Sequence, residues 1–192
     1  MAWHQPLRTL PLPDTFIQNA EHYAALLLHY NQTHNISGAK SLDKVYDNII
    51  DSVIPIQYLE QAPTTCIDIG SGAGFPGIPL AMALPQTCFT LFEPIAKKSA
   101  FLHLVKSSLG LHNVTIATKR VEQAKGFACD LICSRAVTDT TMLIRLCKDF
   151  IAPTTTLLFY KGSKAPQEAQ ELAHYKIYER GQRRYLFVKD IQ

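Results

Sequence analysis

The chain has 192 residues, 47% of them hydrophobic and 18% charged, with 19 lysines and arginines against 16 acidic residues for a formal charge of +3. This balance suits one packed core and excludes a charge-rich disordered chain; so mild a basic excess admits a nucleic-acid partner without pointing to one. Five cysteines without a Cys-x-x-Cys pair suggest neither a disulfide framework nor a zinc site, so no metal is expected, and with no apolar run of membrane-spanning length and no signal-peptide core the expectation is a cytoplasmic protein off the membrane.

From the amino end, Pro11-Leu-Pro-Asp14 reads as a turn into a helix with Asp14 as N-cap, and Phe16, Ala20, Tyr23, Leu27 and Tyr30 recur at helical spacing. Polar residues 31–35 and Gly38 are expected to end it. A second helix starts at Ser41, with Val45, Ile49 and Val53 on one face and Pro55 to stop or kink it. From Thr65 short apolar runs alternate with helical patterns, the grammar of βαβ units. The expected strands are 66–69, 88–92, 114–117, 131–133 and 156–160, with a helix over 97–109 and a closing antiparallel hairpin that pairs 174–179 with 184–189 across Gly181. The predicted fold is α/β, a mostly parallel Rossmann-like sheet, with residues 1–60 as a helical cap and 61–192 as the ligand-binding domain, one compact unit.

The informative segment is Thr65-Cys-Ile-Asp-Ile-Gly70-Ser-Gly72-Ala-Gly74-Phe-Pro-Gly77-Ile-Pro-Leu80, a strand, four glycines and a helix. Glycines admit positive φ and let the backbone approach a ligand, while the helix start offers free N–H groups. Glu93 stands twenty-five residues after Asp68, at the end of the next strand, where a carboxylate can accept from both hydroxyls of a ribose. Two cofactors compete. Gly72, Gly74 and Gly77 satisfy the dinucleotide pattern of an NAD(P)-dependent oxidoreductase. If the strand ends at Ile69, however, the spacing becomes Asp-x-Gly-x-Gly-x-Gly, which resembles the first motif of Rossmann-like class I methyltransferases, and Asp68 then sits near the methionine end of S-adenosyl-L-methionine. A purely structural glycine turn is the bland alternative.

Further segments resemble the RsmG (GidB) family of bacterial 16S ribosomal RNA guanine-N7 methyltransferases: Asn35-Ile-Ser, Asp51-Ser, the run from Asp68 to Leu80, Lys97-Lys98 with Phe101-Leu102, Arg120-Val-Glu122, Ser134-Arg-Ala136 and Lys161-Gly162. The resemblance spans roughly residues 30 to 165. It implies that Gly70, Phe75, Val121, Glu122 and Arg135 contact S-adenosyl-L-methionine, with Phe75 and the Val121-Glu122 pair near the adenine; the physical reading adds Asp68, Gly72, Gly74 and Glu93. The substrate implied is 16S ribosomal RNA or a small-subunit particle, and a monomer is expected. Where the family shows a histidine in its second helix this chain has Asn48.

Guanine N7 carries an in-ring lone pair at neutral pH, so its attack on a methyl group needs no base, only alignment and exclusion of water. No catalytic dyad is expected. After the fourth strand, where enzymes that methylate amines carry an Asn/Asp-Pro-Pro-aromatic run, this chain has Cys133-Ser-Arg135-Ala. Cys133 reads as a small buried side chain rather than a nucleophile. Arg135, at the carboxyl end of a parallel strand, is the catalytic candidate, with a structural salt bridge as its bland reading. Asn35, Lys97, Arg120 and Lys161, with Lys98 and Lys164, are candidates for holding RNA, against the plainer reading of solvated surface charge. A non-enzymatic RNA-binding assembly factor is the further alternative.

Overall fold

Residues 2–191 are described by a computed structural model. Helix α1 (Phe16–His34) exists because Phe16, Ala20, Tyr23, Ala24 and Leu27 fall on one buried stripe. Its N-cap is Thr15 without a side-chain bond, not Asp14, because the Phe16 N–H turns back onto the Pro13 carbonyl at 2.9 Å. The polar residues from Asn31 to His34 stay helical, and Asn35 closes the helix in the left-handed region at φ 45. Helix α2 (Leu42–Val53) starts at Ser41, whose hydroxyl accepts from the Lys44 N–H at 3.3 Å, and buries Val45, Ile49 and Val53. Pro55 tightens the following residues into a 3-10 turn, Ile54–Tyr58.

The alternating part yields β1 (Thr65–Ile69), α3 (Gly77–Ala83), β2 (Cys88–Phe92), α4 (Ala96–Leu109), β3 (Val114–Ala117), β4 (Leu131–Arg135), α5 (Thr140–Leu146), β5 (Thr156–Lys161), α6 (Ala165–Ala169), β6 (Tyr175–Arg180) and β7 (Arg183–Val188). β4 and β5 run past their expected ends, carrying Arg135 and Lys161 on the strands themselves. The sheet order is β3-β2-β1-β4-β5-β7-β6, parallel through the first five positions and antiparallel at β7 and β6. The closing hairpin pairs Arg180 with Arg183, leaving Gly181 and Gln182 as its loop, with Gly181 at φ 57.

Period-2 alternation sorts the strand residues between two cores. Cys66, Cys133, Leu158, Tyr160, Tyr185 and Phe187 join α1, α2, α3 and α4 on one face. Ile67, Ile69, Leu157, Phe159, Leu186 and Val188 join α5 and α6 on the other. Both faces are covered, which is why the strands read as unbroken apolar runs. Chain order reverses between β1 and β4, so a crevice opens at their carboxyl ends, the position where sheets of this kind bind ligands.

Candidate active site

The turn after β1 is held by its neighbours before any ligand arrives. The N–H groups of Gly70 and Ser71 both donate to the Phe92 carbonyl, at 2.9 and 3.1 Å, and Ser134 Oγ donates to the Ile69 carbonyl at 2.9 Å, locking β2, β1 and β4 together at the crevice. Gly70, Gly72 and Gly74 have φ of 69, 61 and 103, conformations that side chains resist. Glu93, at the end of β2, is 3% exposed; its Oε2 accepts from the Gly72 N–H and its Oε1 from the Ile95 N–H, each at 2.8 Å. Each carboxylate oxygen keeps a second lone pair, so the acid both shapes the turn and can still accept from a diol.

Asp68 lies beneath the turn rather than on its open side. It is fully buried, its Oδ2 accepts from the Gly77 N–H at 3.1 Å, and its Oδ1 has no partner. Burial lifts its carboxyl to about 6, against the downward pull of the Ser71 hydroxyl, the Gly77 N–H and the Arg135 charge. Gly77 has to be glycine because a Cβ there would lie 2.6 Å from Asp68 Oδ2, and a Cβ on Gly74 would lie 2.7 Å from Ile78 and 3.0 Å from the Tyr23 hydroxyl. Those two glycines face the protein. A Cβ on Gly72 meets nothing closer than the Gly70 carbonyl at 3.9 Å, so this is where bare backbone is left open. The register through Gly72, Gly74 and Gly77 therefore fails as a dinucleotide turn, since the glycine that should lie against a pyrophosphate packs on α1 instead.

Two adjoining cavities of about 370 and 350 Å³ flank this turn and share Gly70, Pro94 and Val137. The first contains Gly72, Phe75, Glu93, Lys98 and Arg135; the second contains Arg120, Val121, Glu122 and Met142. Together they match the size of a nucleoside-sized ligand site. Val137 stands between them, its Cγ2 2.6 Å from where a Gly70 Cβ would be. Phe75 lines the first cavity and the Val121-Glu122 pair the second. Phe75 lies under Arg135, whose guanidinium carbon is 4.7 Å from the ring centroid.

Arg135 reaches the crevice with its side chain 16% exposed. Its Nη1 donates to Asn48 Oδ1 at 3.2 Å and lies 3.7 Å from Asp51 Oδ2, so the residue that lines the crevice is also part of a salt bridge behind it. Cys133 is buried, 3.9 Å from the sulfur of Cys66, and burial pushes its thiol well up, which disfavours a nucleophile.

The RNA candidates divide. Arg120 and Lys98 line the crevice. Lys97 is exposed but spans to the His34 carbonyl at 3.0 Å, tying α4 to the end of α1. Asn35 is exposed at that same end, yet the loop after it is ordered by Asn31, whose amide bridges four main-chain groups of residues 36–39. The Lys161 side chain is 9% exposed, and its Nζ donates to Glu168 at 2.7 Å and to the Thr138 carbonyl at 2.9 Å, which ties β5 to α6 and to the loop after β4. Among the described residues no cluster of His, Cys, Asp or Glu is arranged to hold a metal ion, and no helix is long and apolar enough to cross a membrane.

Residues 16–190 match the family described as GidB, rRNA small subunit methyltransferase G. The ribosomal RNA small subunit methyltransferase G of Wolinella succinogenes is 47% identical over 182 residues, covering 95% of this chain and 94% of that protein. The crystal structure of the ribosomal protein L11 methylase of Lactobacillus delbrueckii superposes with a TM-score of 0.59 at 14% identity, over 77% of this chain and 80% of the other. Coclaurine N-methyltransferase, solved with N-methylheliamine and S-adenosylhomocysteine (SAH), gives 0.55 at 13%, over 78% and 53%. The two structural likenesses establish a methyltransferase-type α/β fold.

Proposed function

The chain belongs to the GidB family of rRNA small subunit methyltransferases G, and on that premise we propose that it transfers a methyl group from S-adenosyl-L-methionine to N7 of a guanine in 16S ribosomal RNA. The observation that carries the cofactor is the contact of Glu93 with the Gly72 N–H beside an open crevice at the reversal of strand order. There Glu93 would take the ribose hydroxyls, Gly72 would lie bare against the cofactor with Gly70 beside it under Val137, and Val121 and Glu122 would border its base. Arg135 would face its amino-acid end beside Phe75. Asp68 supports this set from below through Gly77. When bound, the cofactor supplies an electrophilic methyl group on a sulfonium.

The protein's part is alignment. The N7 lone pair needs no proton removed, which agrees with a crevice whose buried acid, Glu93, is held by two main-chain N–H groups and whose nearest thiol candidate, Cys133, lies in the core behind it. Lys98 and Arg120 at the mouth, with Lys97 and Lys164 outside it, would neutralise phosphates of the RNA, and the uncharged amide of Asn35 would touch the base. Incubation of the protein with methyl-labelled cofactor and 16S RNA or small subunits, followed by nucleoside analysis, should place the label in 7-methylguanosine. Label in protein or in another nucleoside would overturn the substrate, and binding of NAD without SAH would overturn the cofactor.

A further inference from the structure

The cap and the closing hairpin converge on one buried carboxylate behind the crevice. Asp51, on α2, is 2% exposed. Its Oδ1 accepts from the Tyr185 hydroxyl of β7 at 2.9 Å, and its Oδ2 lies 3.3 Å from Arg183 Nε and 3.7 Å from Arg135 Nη1. One helical turn earlier Asn48 accepts from the same Arg135 Nη1 at 3.2 Å. Phe75 takes the guanidinium face at 4.7 Å. Arg135 is therefore confined from three directions, two of them on a helix outside the cofactor-binding segment. Two guanidiniums share one carboxylate, and this leaves a positive charge uncompensated at the crevice wall.

We propose that Asp51, together with Asn48, is a positioning residue that fixes Arg135 over Phe75 so that its remaining N–H groups present to an anionic group in the crevice, the carboxylate of an amino-acid moiety. An arginine with free rotamers gives up side-chain entropy when a ligand orders it, and pre-pairing removes part of that cost. Asp51 also offsets the burial that disfavours the Arg135 charge, and it separates Arg135 from Arg183.

This inference rests on the cofactor reading, and calorimetry with SAH separates the two. Asp51→Asn keeps an acceptor for Tyr185 and loses the charge. It should bind SAH about tenfold more weakly while still unfolding cooperatively. In an Arg135→Gln background the same change should add almost nothing, because the group it positions is gone. The double variant Asp51→Asn/Asn48→Asp, which moves the carboxylate one turn along α2 to the other Arg135 contact, should recover most of the affinity; a merely structural role would not be rescued so. Should Asp51→Asn fail to fold, Asn48→Ala, at a half-buried site, should still weaken SAH a few-fold. Unchanged affinity in a folded Asp51→Asn or Asn48→Ala protein, or losses that multiply with Arg135→Gln, overturns the positioning role alone. A wild-type protein that does not bind SAH overturns the cofactor reading and this inference with it.

Discussion

The carboxyl of Asp68 lies wholly inside the fold, and removal from water lifts it to about 6. In the unfolded chain the same group ionises near 4. Between about pH 4 and pH 6 the folded state therefore binds the extra proton, so the stability this group contributes is complete below pH 4 and is lost as pH rises to 6, about 3 kcal/mol in all. Asp68→Asn retains an acceptor for the Gly77 N–H and abolishes the titration. Its stability relative to wild type should rise by up to about 3 kcal/mol between pH 4 and pH 7 in urea unfolding; a difference flat in pH would place the titrating charge elsewhere. The acid was legible in the sequence from its place two residues before Gly70, but its depth was not, because α3 covers it and only the path of the chain decides that. Lys161 shows the reverse case. Its position near a strand end was readable, but its pairing with Glu168, on a helix of five residues that no periodicity announces, was not.

Among the elements, α1 acts on the turn through one hydroxyl. Tyr23 is fully buried, its OH donates to the Ala73 carbonyl at 2.6 Å, and it fills the space that the missing Gly74 side chain leaves. Tyr23→Phe leaves that carbonyl unsatisfied in the core and should cost about 1–3 kcal/mol in urea unfolding. SAH affinity should fall with it, several-fold, because the freed carbonyl belongs to the loop between Gly72 and Gly74; a destabilised variant with wild-type affinity would show that α1 supports the core without shaping the turn. Helical spacing placed Tyr23 on the buried stripe. Its partner fifty residues away had no signal in the sequence. The resemblance marked Asn48 and Asp51, but their meeting with Arg135, more than eighty residues on, had no signal in the sequence. Long periodic elements such as α1, α2 and α4 were readable, whereas α5 and α6, of seven and five residues, were too short to show a period.

For the molecule as a whole, the question raised by the boundary near residue 60 is whether the helical cap is an appendage or part of the core. α1 and α2 cover the α3 and α4 face in one continuous cluster with Tyr160 and Tyr185, and the Tyr160 hydroxyl reaches across to the Ser52 carbonyl at 2.5 Å. Without residues 1–60, side chains such as Ile78 and Phe101, both fully buried, would face water, each with about 1.5–3 kcal/mol of burial at stake. Such losses soon exceed the roughly 5–15 kcal/mol that holds a domain folded. The chain carries its own probe of this point, since its one tryptophan, Trp3, is in the cap, stacked on Tyr46 of α2 with ring centroids 4.4 Å apart and bonded to Glu21 of α1. In urea, Trp3 fluorescence and the far-ultraviolet circular dichroism of the full chain should therefore trace a single coincident transition, and residues 61–192 expressed alone should show no cooperative unfolding. A tryptophan transition that precedes the dichroism, with a truncated chain that still melts sharply, would make the cap a separable domain, and Asn48 and Asp51 would then reach Arg135 only when it docks.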